Sequence, residues 1–379
     1  MRALPIIVQT LVALCCVSYS LVGGQPYVPP IKPPGCLPHQ NGMVDLWCPG
    51  AQGVSPSMGD ENVACYKIPS LIRTAKGNLL AFVEARHVQC GDGGNIDLRM
   101  RRSSDNGLSW SHAITVYSEA QSGQNTTIGD ACPVQDRRTG IVHLIFTRNN
   151  RDVYQTQSAD EGVTWAPPVN ISGSVDGHRE PPGFIGTGHA GGVQLSRTGR
   201  LLVPMHGPCH AIYSDNGGQT WAKARGAMSN GGECQMVEIR DGLLVVTGRN
   251  SKKIGYQQIA FSTDDGMTWS ESEPNHDLPS PIDGVESSIL VHPNGKLYHS
   301  GPNSFLLRTD MVLKVSHDDG KSWQPFREVW KKAAGYSALT LLGQPGDTNA
   351  GIGILFDRNN KTMIVFEARG ITFASIDVV

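Results

Sequence analysis

Apolar residues in this chain come in short runs of about four or five positions, and polar or turn-forming residues separate the runs. Ile96-Asp-Leu-Arg-Met100, Val153-Tyr-Gln-Thr156, Gln258-Ile-Ala-Phe261 and Met311-Val-Leu-Lys-Val315 are of this kind. Runs of that length bounded by turn residues predict strands. No stretch keeps a helical period over a useful length, while 44 Gly and 24 Pro punctuate the 379 residues. The pattern predicts an all-β protein.

Most of these runs lead into one eight-residue pattern, S-x-D-x-G-x-[ST]-W, present in five copies. The copies start at Ser103, Ser158, Ser214, Ser262 and Ser316, which are 55, 56, 48 and 54 residues apart; the third carries Asn216 where the others carry Asp. Ser and Asp side chains bond nearby backbone N–H groups, and Gly takes a positive φ without steric cost. The closing Trp, expected to begin the return strand, offers a large apolar body. Each copy therefore predicts a hairpin corner with an aromatic anchor. A calcium loop is the alternative for the Asp-Asp-Gly copies, but the helical flanks and terminal bidentate Glu of such loops are missing. Units averaging about 53 residues leave room for a sixth without a copy, closed by strands from the two chain ends. The expected fold is a six-bladed β-propeller of four-stranded antiparallel blades, with the boxes on the outer rim.

The first residues change the picture of where the domain begins. Met1-Arg2, an apolar run from Leu4 to Val22 and then Gly23-Gly24 predict a secretory signal peptide over 1–24; the alternative is a membrane anchor, which Gln9, Thr10, Ser18 and Ser20 weaken. A Pro-rich extension is expected over 25–55 and the propeller over 56–379. Sequons at Asn125, Asn170 and Asn360 suit a secreted or lysosomal route. Seven Cys follow the signal, so a monomer keeps at least one free thiol. A net charge of −2 gives no reason to expect nucleic acid or an anionic membrane as partner. Neither C-x-x-C nor H-E-x-x-H occurs, so no metal and no cofactor is expected.

The residues that break the repeat carry the chemistry. Tyr66-Lys67-Ile68-Pro69, Phe82-Val-Glu84-Ala-Arg86, Gly351-Ile-Gly-Ile-Leu-Phe-Asp357 and the five boxes together resemble the sialidase (neuraminidase) family over nearly the whole mature length. The boxes match that family's Asp boxes, Tyr-Lys-Ile-Pro its [FY]-Arg-Ile-Pro signature with one change, and the segment ending at Asp357 its C-terminal strand.

The resemblance implies a retaining exo-α-sialidase that removes terminal sialic acids from glycoproteins, glycolipids or oligosaccharides. A sialoside carries a carboxylate on its anomeric carbon, so binding calls for cations, and planar Arg forks suit carboxylates best. The family uses three Arg; Arg249 and Arg308 match the second and third. A carboxylate nucleophile would be repelled by this substrate, whereas a Tyr hydroxyl is neutral until a base takes its proton. Tyr336 matches that nucleophile, Glu233 the carboxylate that activates it, and Asp92 the acid on a Gly-rich loop, in preference to Asp97 in the neighbouring strand. Glu84 and Arg86 are expected near the substrate.

Lys67 departs from the family, standing where the first Arg is expected. Its ammonium cannot form a bidentate fork, and its acidic partner is expected to be Glu84, Asp357 or Glu367. Two alternatives stay open: the same machinery working on a related nonulosonic acid or by transfer or intramolecular closure, and a sialic-acid-binding lectin without catalysis.

Overall fold

The computed structural model describes residues 42–48, 63–119, 125–175, 183–253, 255–359 and 370–378. The signal peptide, Cys36, the sequon at Asn360 and Glu367 lie outside the described residues. Within them the protein is all-β and propeller-like, with one single-turn helix at Ser172–Val175.

Four sheets stand separately. Cys65–Arg73, Leu79–Arg86, Ile96–Ser103 and Ile114–Tyr117 form the first, and Ile128–Gln135, Val142–Arg148, Asp152–Ser158 and Val169–Asn170 the second. In the third, Gly186–Thr187 and Val193–Gln194 both pair with Leu201–His206, followed by His210–Ser214 and Ala222–Ala227. Gly231–Arg240, Leu243–Asn250, Tyr256–Ser262 and Glu273–Pro279 form the fourth.

The remaining strands make one seven-stranded sheet, so the described residues do not divide into six separate four-stranded blades. The reason is the 18-residue strand Gln324–Leu341, which runs without a break from one pairing to another. Its first part pairs with Thr309–Ser316 through Ala333, and from Ala334 onward it pairs with Ile352–Arg358. The unboxed end of this sheet is closed by both chain ends, with Met43–Trp47 antiparallel to Gly370–Ile376. Residues 43–47, expected in the extension, are therefore a strand of the fold; Val44, Leu46 and Trp47 are buried with Ile371 and Phe373 in one core cluster.

The boxes close on themselves. In the first, Ser103 Oγ accepts from the Gly107 amide at 2.8 Å, and Asp105 Oδ1 accepts from the Ser109 amide at 2.9 Å. The glycines of all five boxes have φ between 78° and 87°, a region only Gly enters freely. Asn216 does the work of Asp in the third box: its Oδ1 accepts from the Thr220 amide and its Nδ2 donates to the Thr220 hydroxyl at 2.8 Å. The Trp residues precede the return strands instead of beginning them; Trp110, Trp221 and Trp323 are buried there.

The core is packed between neighbouring sheets. Leu80, Phe82, Leu98 and Met100 of the first sheet meet Ile128, Leu144 and Phe146 of the second. The inner strands are those that meet neighbouring sheets: Cys65–Arg73 contacts both Ile128–Gln135 and Gln324–Leu341, and Leu201–His206 contacts both Ile128–Gln135 and Gly231–Arg240. Each box sits at the turn between third and fourth strands, away from these inner strands.

Candidate active site

Lys67, Glu233 and Tyr336 each lie on an innermost strand, and the site forms where these strands approach the axis. A cavity of about 560 Å³ opens among later residues of the same strands, lined by Leu71, Arg73, Gln235, Val237 and Leu339 among others. None of the site residues predicted from sequence lines it.

Tyr336 is the centre of the arrangement. Its hydroxyl lies 3.0 and 2.8 Å from the two carboxylate oxygens of Glu233, although 103 residues separate the two in sequence. Arg249 Nη1 donates to Glu233 Oε2 at 2.9 Å and to the Tyr336 hydroxyl at 3.3 Å. The Arg308 guanidinium carbon stands 5.2 Å from the centre of the Tyr336 ring. Burial would raise the Glu233 carboxyl, but Arg249 beside it, with His206 and His189 nearby, holds it at about 2. Burial and the Glu233 charge push the Tyr336 hydroxyl well above its ordinary value, against the pull of Arg308 and Arg249. The resting pair is therefore a phenol on a carboxylate.

The two arginines are fixed from below by one turn. Arg308 Nη2 donates to the Gly284 carbonyl at 2.9 Å and meets Asp283 Oδ2 at 3.2 Å, while Arg249 donates to the Asp283 carbonyl. Gly284 has φ +74°, and a Cβ there would overlap the Arg249 side chain. The turn thus sets the spacing of both cations. Sequence reasoning missed Asp283, which sits in a loop with no motif of its own.

Lys67 is buried, and its ammonium makes no hydrogen bond or close ion pair among the described residues. Burial lowers the Lys67 ammonium, with Arg86 and Arg308 adding to the effect and Asp357 and Asp92 opposing it. Of the two expected partners among the described residues, Glu84 and Asp357, Asp357 is the one whose charge acts on the ammonium. Burial raises the Asp357 carboxyl, while Lys67 and Arg308 pull it down. Desolvation wins at both ends because the two groups are not in contact. Asp357 Oδ1 instead accepts from the Gly335 amide at 2.8 Å and so fixes the backbone just before Tyr336.

Glu84 is engaged elsewhere. Its Oε2 accepts from Arg86 Nε and Nη2 at 2.9 and 2.6 Å, and its Oε1 accepts from the Asp130 amide at 2.9 Å. Arg86 Nη1 reaches up to the Cys90 carbonyl at 2.8 Å and to Asp92 Oδ1 at 2.7 Å. Glu84 and Arg86 are both buried, so their visible role is to brace the Asp92 loop. Asp92, though held by Arg86, has a side chain 81% exposed and so is accessible to a ligand. A disulfide from Cys65 to Cys90 ties this loop to the start of the Lys67 strand. Asp97 is turned to other work, bonded to His87 at 2.8 Å and Arg99 at 2.7 Å. A second disulfide, Cys209–Cys234, anchors the residue next to Glu233, and Cys132 is a buried free thiol.

The structure thus brings Tyr336, Glu233, Arg249 and Arg308 into direct contact or through one shared turn, with Lys67 and Asp92 close enough to interact electrostatically. Fold and site together define a propeller-like protein with a tyrosine–carboxylate pair among cations. The chain belongs to the BNR repeat-like domain family, which it matches over residues 77–348. Its relatives include a sialidase of Bacteroides fragilis, 26% identical over 342 residues, covering 79% of this chain and 61% of that protein. A sialidase of Micromonospora viridifaciens is 28% identical over 323 residues, covering 75% of this chain and 49% of that protein. The chain thus spans about half to three fifths of these relatives. Among solved structures, the Hadza microbial sialidase Hz136 has a TM-score of 0.72 at 24% identity, covering 85% of this chain and 67% of that one. The intramolecular trans-sialidase from Ruminococcus gnavus has a TM-score of 0.68 at 16% identity, covering 84% and 95%.

Proposed function

We propose that the protein is a glycoside hydrolase, a retaining exo-α-sialidase acting on terminal sialic acids of glycoconjugates. The observation that carries this reading is the Tyr336 hydroxyl held on both oxygens of Glu233. Arg249 and Arg308 beside it supply the cations that an anomeric carboxylate requires.

The chemistry follows from the charges. Proton transfer from a phenol raised by burial to a carboxylate near 2 is uphill in the resting enzyme. Transfer is therefore concerted with bond formation: the Tyr336 oxygen bonds to the anomeric carbon as Glu233 takes its proton. Asp92 donates a proton to the departing glycosidic oxygen as that bond breaks. Arg249 is shared between Glu233 and the incoming substrate carboxylate, so binding draws some of its charge away and makes Glu233 a better base. In the second half, Asp92 takes a proton from water, water attacks the anomeric carbon, and Tyr336 leaves with the proton from Glu233. Lys67 offers the substrate carboxylate one charge-assisted bond.

Two further readings accompany this one. The seven-stranded sheet is two blades sharing Gln324–Leu341, giving six around the axis; the change of partner at Ala333–Ala334 supports this. The protein travels the secretory pathway, a reading supported by its disulfides, which persist in oxidising compartments.

Turnover of a fluorogenic α-sialoside tests the function, with Tyr336→Phe as the control. Wild-type turnover with retention at the anomeric carbon, lost in the variant, is expected. Binding without turnover would make the protein a lectin.

A further inference from the structure

Beneath Tyr336 lies a pair of ionisable residues that the proposed chemistry does not use. His189 and Glu286 have side chains 2% and 1% exposed, with His189 Nδ1 2.6 Å from Glu286 Oε2. Neither carboxyl oxygen of Glu286 has a hydrogen-bond partner among the described residues, nor does His189 Nε2, so the short approach to Nδ1 is a close contact without hydrogen-bond geometry. The imidazole lies against the Tyr336 ring, centroids 4.9 Å apart. On the ring's other contacts are the Arg308 guanidinium and the apolar side chains of Ile68 and Val285.

A pair of this kind is a poor way to fill a core. Burying two ionisable groups with no further hydrogen bonds costs more than an apolar pair of the same volume. It avoids much of that cost when uncharged, with a protonated Glu286 beside a neutral imidazole. Burial favours this state at both ends, raising Glu286 well above its ordinary value and lowering His189 to about 4.

We propose that His189 and Glu286 are positioning residues for Tyr336: the uncharged pair seats the imidazole against the phenol ring and keeps negative charge from beneath it while the hydroxyl proton passes to Glu233. This rests on the reading of Tyr336 as the nucleophile. The groups facing Glu286 are His189, Glu233, Arg249 and the Cys132 thiol. His189 faces Glu233, Glu84 and Asp357, and also the His206 imidazole. Three of these neighbours, Glu233, Glu84 and Asp357, are carboxylates against the single guanidinium of Arg249, so ionisation of Glu286 adds another negative charge where phenolate character must develop. The acid is protonated below its raised pKa, and the penalty arrives as pH rises through it.

The test uses the full chain and a fluorogenic α-sialoside, with kcat and KM measured across the pH range. Glu286→Gln keeps the pair uncharged, so its kcat stays within about threefold of wild type at the optimum while the alkaline limb moves up by about one pH unit or more. His189→Leu with Glu286→Val nearly keeps the volume and loses the polar seat. Its kcat falls about 10- to 100-fold with KM changed less than about threefold, and its Tm is not lowered. An alkaline limb unchanged in Glu286→Gln overturns the proposal even where the double variant fails to fold. A double variant with wild-type kcat overturns the pair alone, since wild-type turnover abolished by Tyr336→Phe leaves the nucleophile standing. A silent wild type removes both readings.

Discussion

Lys67→Met is the sharpest perturbation of substrate binding. In the free protein the Lys67 ammonium is buried without a close partner, facing Asp357 across a gap and sharing its surroundings with Arg86 and Arg308. Arg86 is paired with Glu84 and Asp92, and Arg308 meets Asp283, whereas Lys67 is buried with no close carboxylate among the described residues; an anionic substrate would relieve that cost. Removing one charge-assisted bond to the substrate costs about 1.5–3 kcal/mol, which is about 10- to 150-fold in affinity. The loss is expected in KM and kcat/KM more than in kcat, because the carboxylate is held in both ground and transition states. Lys67→Arg can add a second bond, but its larger side chain must enter a packed position, and overpacking costs about 1–3 kcal/mol. The expected result for Lys67→Arg is accordingly a KM equal to wild type or up to about tenfold lower. The assay is steady-state kinetics on a fluorogenic α-sialoside, with a Tm measured for each variant. Unchanged KM and kcat in Lys67→Met would refute the reasoning, since position 67 would then not touch the substrate.

Three further outcomes follow from the geometry. Glu233 is held at about 2 against an ordinary 4.5, worth about 3 kcal/mol of stability. A depressed carboxyl stabilises above the unfolded pKa, so this contribution is full above about pH 5 and lost as pH falls toward 2. The Tm difference between wild type and Glu233→Gln should shrink over that window; a constant difference would argue against the ion pair with Arg249. Gly284→Ala forces a Cβ onto the Arg249 side chain at φ +74°, so it should cost about 1–3 kcal/mol of stability and raise KM; wild-type kinetics would show that the turn does not set the cation spacing. Replacing Cys65 and Cys90 together by Ser opens a 25-residue separation and should cost about 3 kcal/mol in thermal or urea unfolding. It should also lower kcat by loosening the Asp92 loop, and a kcat equal to wild type would mean that the hydrogen bonds from Arg86 and Asn150 suffice to hold Asp92 in place.

The boxes were legible in the sequence because their hydrogen bonds close within eight residues. Ser103, Asp105 and Gly107 carry their own turn wherever the chain places them, and even the Asp-to-Asn change at 216 leaves the geometry intact. The all-β class was legible for a similar reason, since strand-length runs and turn chemistry are local. The candidate site was half legible. Tyr336, Glu233, Arg249 and Arg308 could be named from ordered motifs, but nothing local places a hydroxyl 103 residues from its carboxylate.

Tertiary structure decided the pairings. Between the two acids the structure describes for Lys67, the surroundings decide: Glu84 spends its oxygens on Arg86 and the Asp130 amide, whereas Asp357 faces the ammonium from another sheet. Asp283, His189 and Glu286 gave no signal because their meaning lies in what they face. The continuous strand Gln324–Leu341 was hidden too, since a strand's change of partner leaves no mark in its own residues. Sequence alone determined the turns and the strand-rich class, because each depends on residue type and short-range bonding; the candidate reacting groups came from the family resemblance. Only the fold decided which charges meet and how far each carboxyl moves from its ordinary pKa, because desolvation and Coulomb terms depend on distances that the inner strands set.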